Sequence, residues 1–195
     1  MLQGWSIGVV IPARNESTHI GRVLSTIPSF VDHVVVIDDG SKDGTGNIAI
    51  TTQCYAEITL IRLDGLGVGN AIDTGHQKLI EIFGDSKFVS AVMAGDGQMD
   101  PDDLEGLVDG IISGSGDHIK GDRSIHPEGL GKMPIIRRLA TALLSFFTTL
   151  AAGQRISDPQ CGYTATSDTV LRNWNWNNSW SGYGYPNYWI IQLAR

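Results

Sequence analysis

Four short apolar segments, separated by helical patterns, constrain the fold of this chain more than any other feature. The apolar segments are IGVVIPA, HVVVIDD, EITLIRL and FVSAVMAGD. The helical patterns between them are HIGRVLSTI, GNIAITTQ and GVGNAIDTGHQKLIEIF. Strands that lack polar alternation are buried on both faces, so repeated strand–helix units predict a mainly parallel sheet covered by helices. We therefore expect an α/β fold, a Rossmann-like three-layer α/β/α sandwich.

The later part of the chain departs from this alternation. Pro101 to Ile112 predicts a helix with Asp100 as its N-cap, because Pro is favoured at the first helical position. DHIKGDRS predicts a short strand, residues 133–152 a long helix, and DPQCGYTATS a turn followed by a strand. The 195 residues suit a single domain spanning 1–195. Because the chain stops inside the helical pattern NYWIIQLAR, we expect that a natural C-terminal portion is absent.

The charge of the chain is acidic overall and basic in one segment. A net charge of −7 argues against general nucleic-acid binding. Between residues 120 and 155, basic side chains outnumber acidic ones. The basic residues are Lys120, Arg123, Lys132, Arg137, Arg138 and Arg155, and the acidic ones are Asp122 and Glu128. This segment is either an anion-binding site or a solvated face.

The cysteines and the longest apolar stretch indicate where the chain resides. Cys54 and Cys161 are far apart in sequence and have no metal-ligand spacing, so we expect two free thiols in a reducing compartment. The first residues do not form a signal-peptide pattern, which favours the cytoplasm. The charge-free stretch from Leu139 to Gly153 is shorter than the roughly 20 residues of a membrane span. It is either a core helix or a helix at a membrane surface.

Polar residues follow three of the predicted strands at the point where each strand ends. In an open parallel sheet, ligands bind beyond these carboxyl ends, so the polar residues should converge on one edge. They are Arg14, Asn15 and Glu16 after the first strand, Asp38 and Asp39 in the second, and Asp96 and Gln98 after the fourth.

A series of motifs then indicates a family. In chain order the motifs are IPARNE, VVVIDDGSKDGT, GVGNAIDTG, GDGQMDPDD, KGDRS, MPIIRRL and DPQCGYTA. Each is weak alone, but their order and spacing together are specific. From about Ile7 to its end the chain resembles the family 2 glycosyltransferases of the GT-A fold. Within them it is similar to the dolichyl- or polyprenyl-phosphate mannose synthase-like branch.

The resemblance implies a nucleotide pocket at the ends of the first two strands. Asp39 matches the position where the family places a carboxylate against the nucleobase, and a carboxylate can accept a hydrogen bond from a base N–H. Asp38 either orders the turn or contacts the ligand. The other residues implied in the pocket are Pro12, Ala13, Arg14, Glu16, Gly67 and Asp96.

The resemblance also implies a metal site. Asp96 and Gln98 correspond to the family's metal-binding Asp-x-Asp region, and hard oxygen donors suit Mg²⁺ or Mn²⁺. The ion would bridge the diphosphate of the donor and stabilise the charge of the leaving group. Asp102 and Asp103 lie in the first turn of the next helix, where acids interact favourably with the helix dipole.

Arginines match the positions where the branch holds the phosphate of its acceptor. These residues are Arg123 in KGDRS and Arg137 in MPIIRR, with Arg138 as the adjacent alternative. Guanidinium groups suit this task because they bind phosphate oxygens through two donors. Asp158 in DPQCGY either orients the acceptor, acts as a base, or belongs to a helix-exit turn.

Three positions depart from the pattern common among relatives. Ala94 stands where many relatives carry an acid, and Val68 and Asp73 stand where many carry Lys and Arg. Near the end of the chain, an aromatic cluster could stack on a sugar, meet a membrane interface, or pack in the core. Its members are Trp174, Trp176, Trp180, Tyr183, Tyr185, Tyr188 and Trp189.

The resemblance implies an inverting, metal-dependent hexosyltransferase. It would move a sugar from a nucleotide-diphosphate sugar to a polyprenyl (dolichyl) phosphate, with Asp96, Arg123, Arg137 and Asp158 at the catalytic centre. We expect peripheral contact with the cytoplasmic face of a membrane and no nucleic-acid partner. Transfer to a sugar hydroxyl, with Asp158 as general base, is an alternative. A nucleotide-sugar-binding domain with impaired catalysis is another, suggested by Ala94, Val68 and Asp73.

Overall fold

The computed structural model describes residues 1–123, 135–178 and 180–194, with the side chains of residues 135–141 and 178 outside the description. The described strands are β1 (Ser6–Ala13), β2 (His33–Asp39), β3 (Glu57–Leu63), β4 (Phe88–Val92), β5 (His118–Lys120) and β6 (Thr164–Ser167). They form one sheet in the order β3-β2-β1-β4-β6-β5. The first four strands run parallel, whereas β6 is antiparallel to β4 and to β5. The prediction of a mainly parallel sheet is confirmed.

Helices cover both faces of this sheet. The described helices are α1 (Ile20–Ser25), α2 (Thr45–Thr51), α3 (Val68–Phe83), α4 (Leu104–Ile112), α5 (Ile135–Ala152), α6 (Asp168–Asn173) and α7 (Tyr185–Leu193). Successive residues of a strand point to opposite faces, so Val9 and Ile11 pack with α1, α2 and α4, while Val10 packs with α3, α6 and α7. The three-layer sandwich predicted from the sequence is confirmed.

The segment after β4 begins the fourth helix as predicted, with one local difference. Asp100 Oδ1 accepts a hydrogen bond from Asp102 N at 3.0 Å, which confirms the cap. The first turn, Pro101–Asp103, is a 3₁₀ helix, and α4 follows at Leu104. Strand β4 ends at Val92, before the Met93–Asp96 stretch that the apolar run had suggested. Those four residues are therefore free to form a loop at the edge of the sheet.

The long charge-free stretch lies in α5, which packs against α7. Across the ranges that the structure describes, no helix is long and apolar enough to cross a bilayer. Cys54 and Cys161 are both free thiols, as predicted.

Candidate functional site

A cavity of about 750 Å³ opens at the carboxyl ends of β1 and β4. Of the residues predicted from the sequence, Pro12, Asp96, Gln98 and Arg123 line it. An apolar and aromatic wall completes it on another side, formed by Val68, Ile72, Val92, Tyr183, Tyr185 and Pro186. The cavity therefore brings an acidic edge and a cationic edge into one space of a size typical for small-molecule ligands.

The loops that follow β1 and β2 are joined by hydrogen bonds. Asn15 N donates to Ser41 Oγ at 2.9 Å, Glu16 N donates to Thr45 Oγ1 at 2.8 Å, and the Asn15 side chain accepts from Lys42 N at 2.9 Å. The Glu16 carboxylate lies 3.0 Å from His19 Nδ1. These contacts join the loops after β1 and β2 into one rim. Of the predicted nucleotide residues, Pro12 and Asp96 line the cavity itself.

Asp38 and Asp39 are buried and hold neighbouring turns. Asp38 Oδ1 accepts from Ser41 N at 2.9 Å, so it orders the turn, and its Oδ2 lies 3.9 Å from Arg62 Nε. Asp39 Oδ1 accepts from Leu66 N at 2.7 Å, and its Oδ2 accepts from Gly67 N at 2.9 Å. Asp39 therefore fixes the loop that begins α3.

Arg14 also lies on this rim, near Asp39. Its side chain is 58% exposed, and its Nη1 is 4.0 Å from Asp39 Oδ2. A Cβ built on Gly65 would lie 3.6 Å from the Arg14 guanidinium, and Gly65 itself has φ of +76°. The guanidinium therefore lies next to the glycine turn at Gly65. Much of the Arg14 side chain is exposed to solvent, so an anion could bind to it.

The Asp96 loop is held against the end of β1. Gly95 N donates to Pro12 O at 3.2 Å, and a Cβ at position 95 would lie 3.0 Å from Ala13 Cβ. Asp96 Oδ1 accepts from Gln98 N at 3.0 Å across Gly97, which has φ of +73°. This turn places Asp96 and Gln98 together in the lining of the cavity.

The oxygen donors at this loop suit a metal ion that the protein binds together with a substrate, rather than one that the protein binds alone. Within the described residues, Asp96 Oδ2 makes no hydrogen bond, and no group of three or more His, Cys, Asp or Glu side chains could hold a metal. Mg²⁺ is commonly bound by one or two carboxylates together with the phosphates of a substrate. One carboxylate and one amide oxygen at the cavity match that mode of binding.

Arg123 and Asp158, predicted separately, form a bidentate ion pair. Arg123 Nε donates to Asp158 Oδ2 at 2.7 Å, and Arg123 Nη2 donates to Asp158 Oδ1 at 2.9 Å. The backbone N of Arg123 also donates to Oδ2, at 3.2 Å. Burial alone would raise the pKa of Asp158, but the hydrogen bonds and charge of Arg123 outweigh it and lower the pKa. Asp158 is therefore a weak base whose carboxylate orients Arg123.

Lys120 adds a second cation behind this pair. Its Nζ donates to Cys161 O, and burial lowers its pKa to about 8. Burial likewise raises the pKa of the Cys161 thiol, which lines the cavity. The thiol is consequently protonated near neutral pH and is a poor nucleophile.

The two other arginines predicted at the acceptor phosphate are Arg137 and Arg138. The backbone of Arg137 and Arg138 belongs to α5, but their side chains lie outside the described residues. Their predicted role at the acceptor phosphate stays a prediction.

Three tyrosines line the cavity, Tyr163, Tyr183 and Tyr185. Tyr163 was missed, and the other two were noted only as members of the aromatic cluster. Tyr163 OH donates to Asp100 O at 3.0 Å, and Tyr185 OH donates to the buried Asp73. Tyr185 belongs to the aromatic cluster noted in the sequence, and Asp73 was noted as a departure from the family pattern. An acid within the apolar face of a helical pattern was the signal that a buried polar partner had to exist.

Comparison with known proteins gives the family. The sequence profile described as "Glycosyl transferase family 2" matches residues 8–174. The chain belongs to this family. The predicted family and the predicted class of enzyme, a glycosyltransferase, are therefore confirmed.

Two curated relatives, one archaeal and one bacterial, act on lipid phosphates according to their names. The chain is 29% identical over 181 residues to UDP-N-acetylglucosamine–dolichyl-phosphate N-acetylglucosaminyltransferase of Methanococcus voltae, covering 85% of this chain and 71% of that protein. It is 29% identical over 179 residues to polyprenol monophosphomannose synthase of Mycolicibacterium smegmatis, covering 84% of this chain and 62% of that protein. The relatives support the polyprenyl-phosphate sugar branch of the family.

Solved structures confirm the fold. Glucosyl-3-phosphoglycerate synthase from Mycobacterium tuberculosis, in complex with phosphoglyceric acid, superposes with a TM-score of 0.70 at 24% identity. The match covers 97% of this chain and 65% of that one. A complex of the same enzyme with Mn²⁺, UDP-glucose and phosphoglyceric acid gives a TM-score of 0.66 at 23% identity. The chain thus spans about two thirds of the length of several proteins that it matches.

Proposed function

We propose that this protein transfers a sugar from a nucleotide-diphosphate sugar to a polyprenyl (dolichyl) phosphate, with inversion at the anomeric carbon and with Mg²⁺ or Mn²⁺ as cofactor. One observation carries the proposal: the Asp96–Gln98 edge and the Arg123 guanidinium line the same cavity of about 750 Å³. Such a space suits two phosphorylated substrates, one bound through a metal ion and the other through a guanidinium. The names of the curated relatives, which include dolichyl-phosphate and polyprenol transferases, support the same acceptor.

The donor nucleotide would lie along the rim formed by the ends of β1 and β2. Arg14 is an exposed cation there, and Asp39 holds the Gly67 loop while retaining lone pairs that can accept from a base N–H. The remaining residues proposed for this rim are Pro12, Ala13, Glu16 and Asp38. Asp96 and Gln98 would hold the divalent cation together with the diphosphate. The cation, when bound, stabilises negative charge on the departing nucleoside diphosphate.

The acceptor phosphate would be positioned by Arg123. A phosphate monoester is already largely anionic near neutral pH, so its oxygen can attack the anomeric carbon without a strong general base. Asp158 orients Arg123 through two side-chain hydrogen bonds, of 2.7 Å and 2.9 Å, and this fixes the geometry of the guanidinium before the acceptor arrives. Arg137 and Arg138 remain proposed contributors to the same phosphate site.

A membrane-bound acceptor requires access to a membrane surface. Four large apolar side chains of α5 are exposed, by 59%, 63%, 56% and 72%, and they recur at helical spacing on one face: Leu143, Phe146, Phe147 and Leu150. Lys132, Arg137 and Arg138 precede them in sequence, and basic residues next to an apolar face favour anionic lipid headgroups. We propose that this face rests on the cytoplasmic surface of the membrane.

Transfer to a sugar hydroxyl is less well supported. That reaction needs a general base, and the lowered pKa of Asp158 makes its carboxylate a poor one. Loss of activity is also not supported by Asp73, because its carboxylate is engaged by Tyr185 inside the fold.

Two substrate screens test the proposal. The protein is incubated with Mn²⁺ and UDP-, GDP- and dTDP-sugars, first with a radiolabelled polyprenyl phosphate and then with soluble sugars. We expect one donor to give a lipid-phosphate product and soluble sugars to give none. Transfer to soluble sugars alone would refute the assigned acceptor.

A further inference from the structure

Two hydrogen bonds join one face of α3 to the first residue of α7 and to the segment that precedes α7. Gly69 N donates to Ser181 O at 3.0 Å, and Tyr185 OH donates to Asp73 Oδ1. Gly69 and Asp73 are four residues apart on α3, so they lie on the same side of the helix. A Cβ at position 69 would lie 1.8 Å from Trp180 O, so this approach requires glycine.

The hydroxyl of Tyr185 is held inside the protein. Tyr185 is 4% exposed and Asp73 is 5% exposed. Burial, and then the charge of Asp73, raise the pKa of Tyr185 well above its ordinary value, so the phenol stays protonated and donates. A neutral donor facing a buried carboxylate fixes the direction of the ring.

Tyr185 lines two neighbouring spaces. One is the main cavity of about 750 Å³, and the other is a small void of about 20 Å³. Both spaces are lined by Ile72, Val92, Gly162, Tyr185 and Pro186. Tyr185 is the largest side chain of this shared wall, so its ring limits how far the main cavity extends inward.

The small void is surrounded by uncharged polar and aromatic groups. His76 Nδ1 lies 2.8 Å from Ser90 Oγ, and His118 Nδ1 lies 2.9 Å from Thr166 Oγ1. Burial lowers the pKa of each histidine to about 3, so both imidazoles are neutral at physiological pH. Such surroundings are compatible with a neutral amide group and unfavourable for an added charge.

We propose that Tyr185, positioned by Asp73, determines sugar specificity by limiting the size of the sugar substituent that the cavity accepts. The inference rests on the proposed function. Removing the ring would join the void to the cavity and admit a bulkier substituent, such as the acetamido group of an N-acetylhexosamine. Removing only the hydroxyl would leave the wall in place.

The test compares donor preference among variants that differ in ring volume. For the nucleotide that the wild type uses, kcat/KM is measured with the plain hexose donor and with its N-acetylated counterpart. We expect Tyr185→Ala and Tyr185→Leu to raise the N-acetylhexosamine-to-hexose ratio by about tenfold or more, the usual scale of discrimination by pocket size. We expect Tyr185→Phe and Asp73→Asn to keep the ratio within about threefold, because the ring remains and an asparagine oxygen can still accept from Tyr185.

The outcomes separate the two proposals. Tyr185→Leu keeps much of the apolar burial, so it provides the measurement even if Tyr185→Ala does not fold. An unchanged ratio in a folded, active Tyr185→Leu variant would overturn the role of Tyr185 while leaving the proposed function intact. A wild-type protein that turns over no nucleotide sugar would overturn the proposed function and the inference with it.

Discussion

Replacing Asp158 with asparagine tests whether this carboxylate orients Arg123 or acts as a base. Asparagine has nearly the same shape, but its NH₂ group replaces one of the two carboxylate oxygens that accept from Arg123 Nε, Arg123 Nη2 and the Arg123 backbone. The bonds to that oxygen are lost, and those that remain lose the negative charge of the acceptor. Each hydrogen bond to a charged group contributes about 1.5–3 kcal/mol when it is protected from water. Because 45% of the Arg123 side chain is exposed, water replaces part of what is lost.

We therefore expect Asp158→Asn to lower the free energy of unfolding by about 2 kcal/mol. For a domain of this size, that corresponds to a melting temperature lower by about 4–8 °C. If the misplaced guanidinium weakens acceptor binding by the same amount, the KM for polyprenyl phosphate should rise about 30-fold with little change in kcat.

A double-mutant cycle with Arg123→Ala distinguishes the two roles. If Asp158 acts through Arg123, adding Asp158→Asn to Arg123→Ala should change acceptor kcat/KM by less than about threefold. Additive losses, with kcat falling by about 10³-fold or more and the acidic limb of the pH profile removed, would refute positioning and identify a base.

Three further predictions concern stability and surfaces. The half-buried Lys120 has a pKa lowered to about 8, so the unfolded chain binds more protons than the folded one between about pH 8 and 10.4. The free energy of unfolding should therefore rise with pH in this range, and Lys120→Met should flatten that rise in urea unfolding. Gly69→Ala should destabilise the fold by about 2–3 kcal/mol because the new Cβ would meet Trp180 O, whereas Gly106→Ala, in a helix with open space around it, should be neutral or stabilising. Replacing Phe146 and Phe147 with serine should reduce sedimentation with anionic vesicles by about tenfold or more, and unchanged binding would contradict the membrane contact.

The central sheet was predictable because its signals are local. HVVVIDD contains an unbroken apolar run and EITLIRL is rich in apolar residues, and the two predicted segments have the same bounds as β2 and β3 in the structure. Parallel strands bring their carboxyl ends together, so the convergence of Pro12, Asp38 and Asp96 at one edge followed from the topology.

The rest of the fold and of the candidate site depends on contacts between parts of the chain that are distant in sequence. β5 and β6 have three and four residues, too few for periodicity to reveal their antiparallel pairing. Arg123 and Asp158 are 35 residues apart, and both are plausible site residues alone. Their positions in the sequence do not indicate that the two side chains form an ion pair with each other. Asp73 and Tyr185 are 112 residues apart, and only the packing of α7 on α3 identifies Tyr185 as the donor to this acid.

Metal-dependent sugar transfer by the wild type and by Asp96→Ala tests the central claim most directly. Radiolabelled polyprenyl-phosphate sugar is measured against increasing Mn²⁺ or Mg²⁺, with Asp102→Ala as the matched control because Asp102 lies in the adjacent 3₁₀ turn and does not line the main cavity. The wild type and Asp102→Ala should form product only with the metal, and Asp96→Ala should lose about 10²-fold or more in rate at every metal concentration. Full metal-dependent transfer by Asp96→Ala would contradict the assigned site.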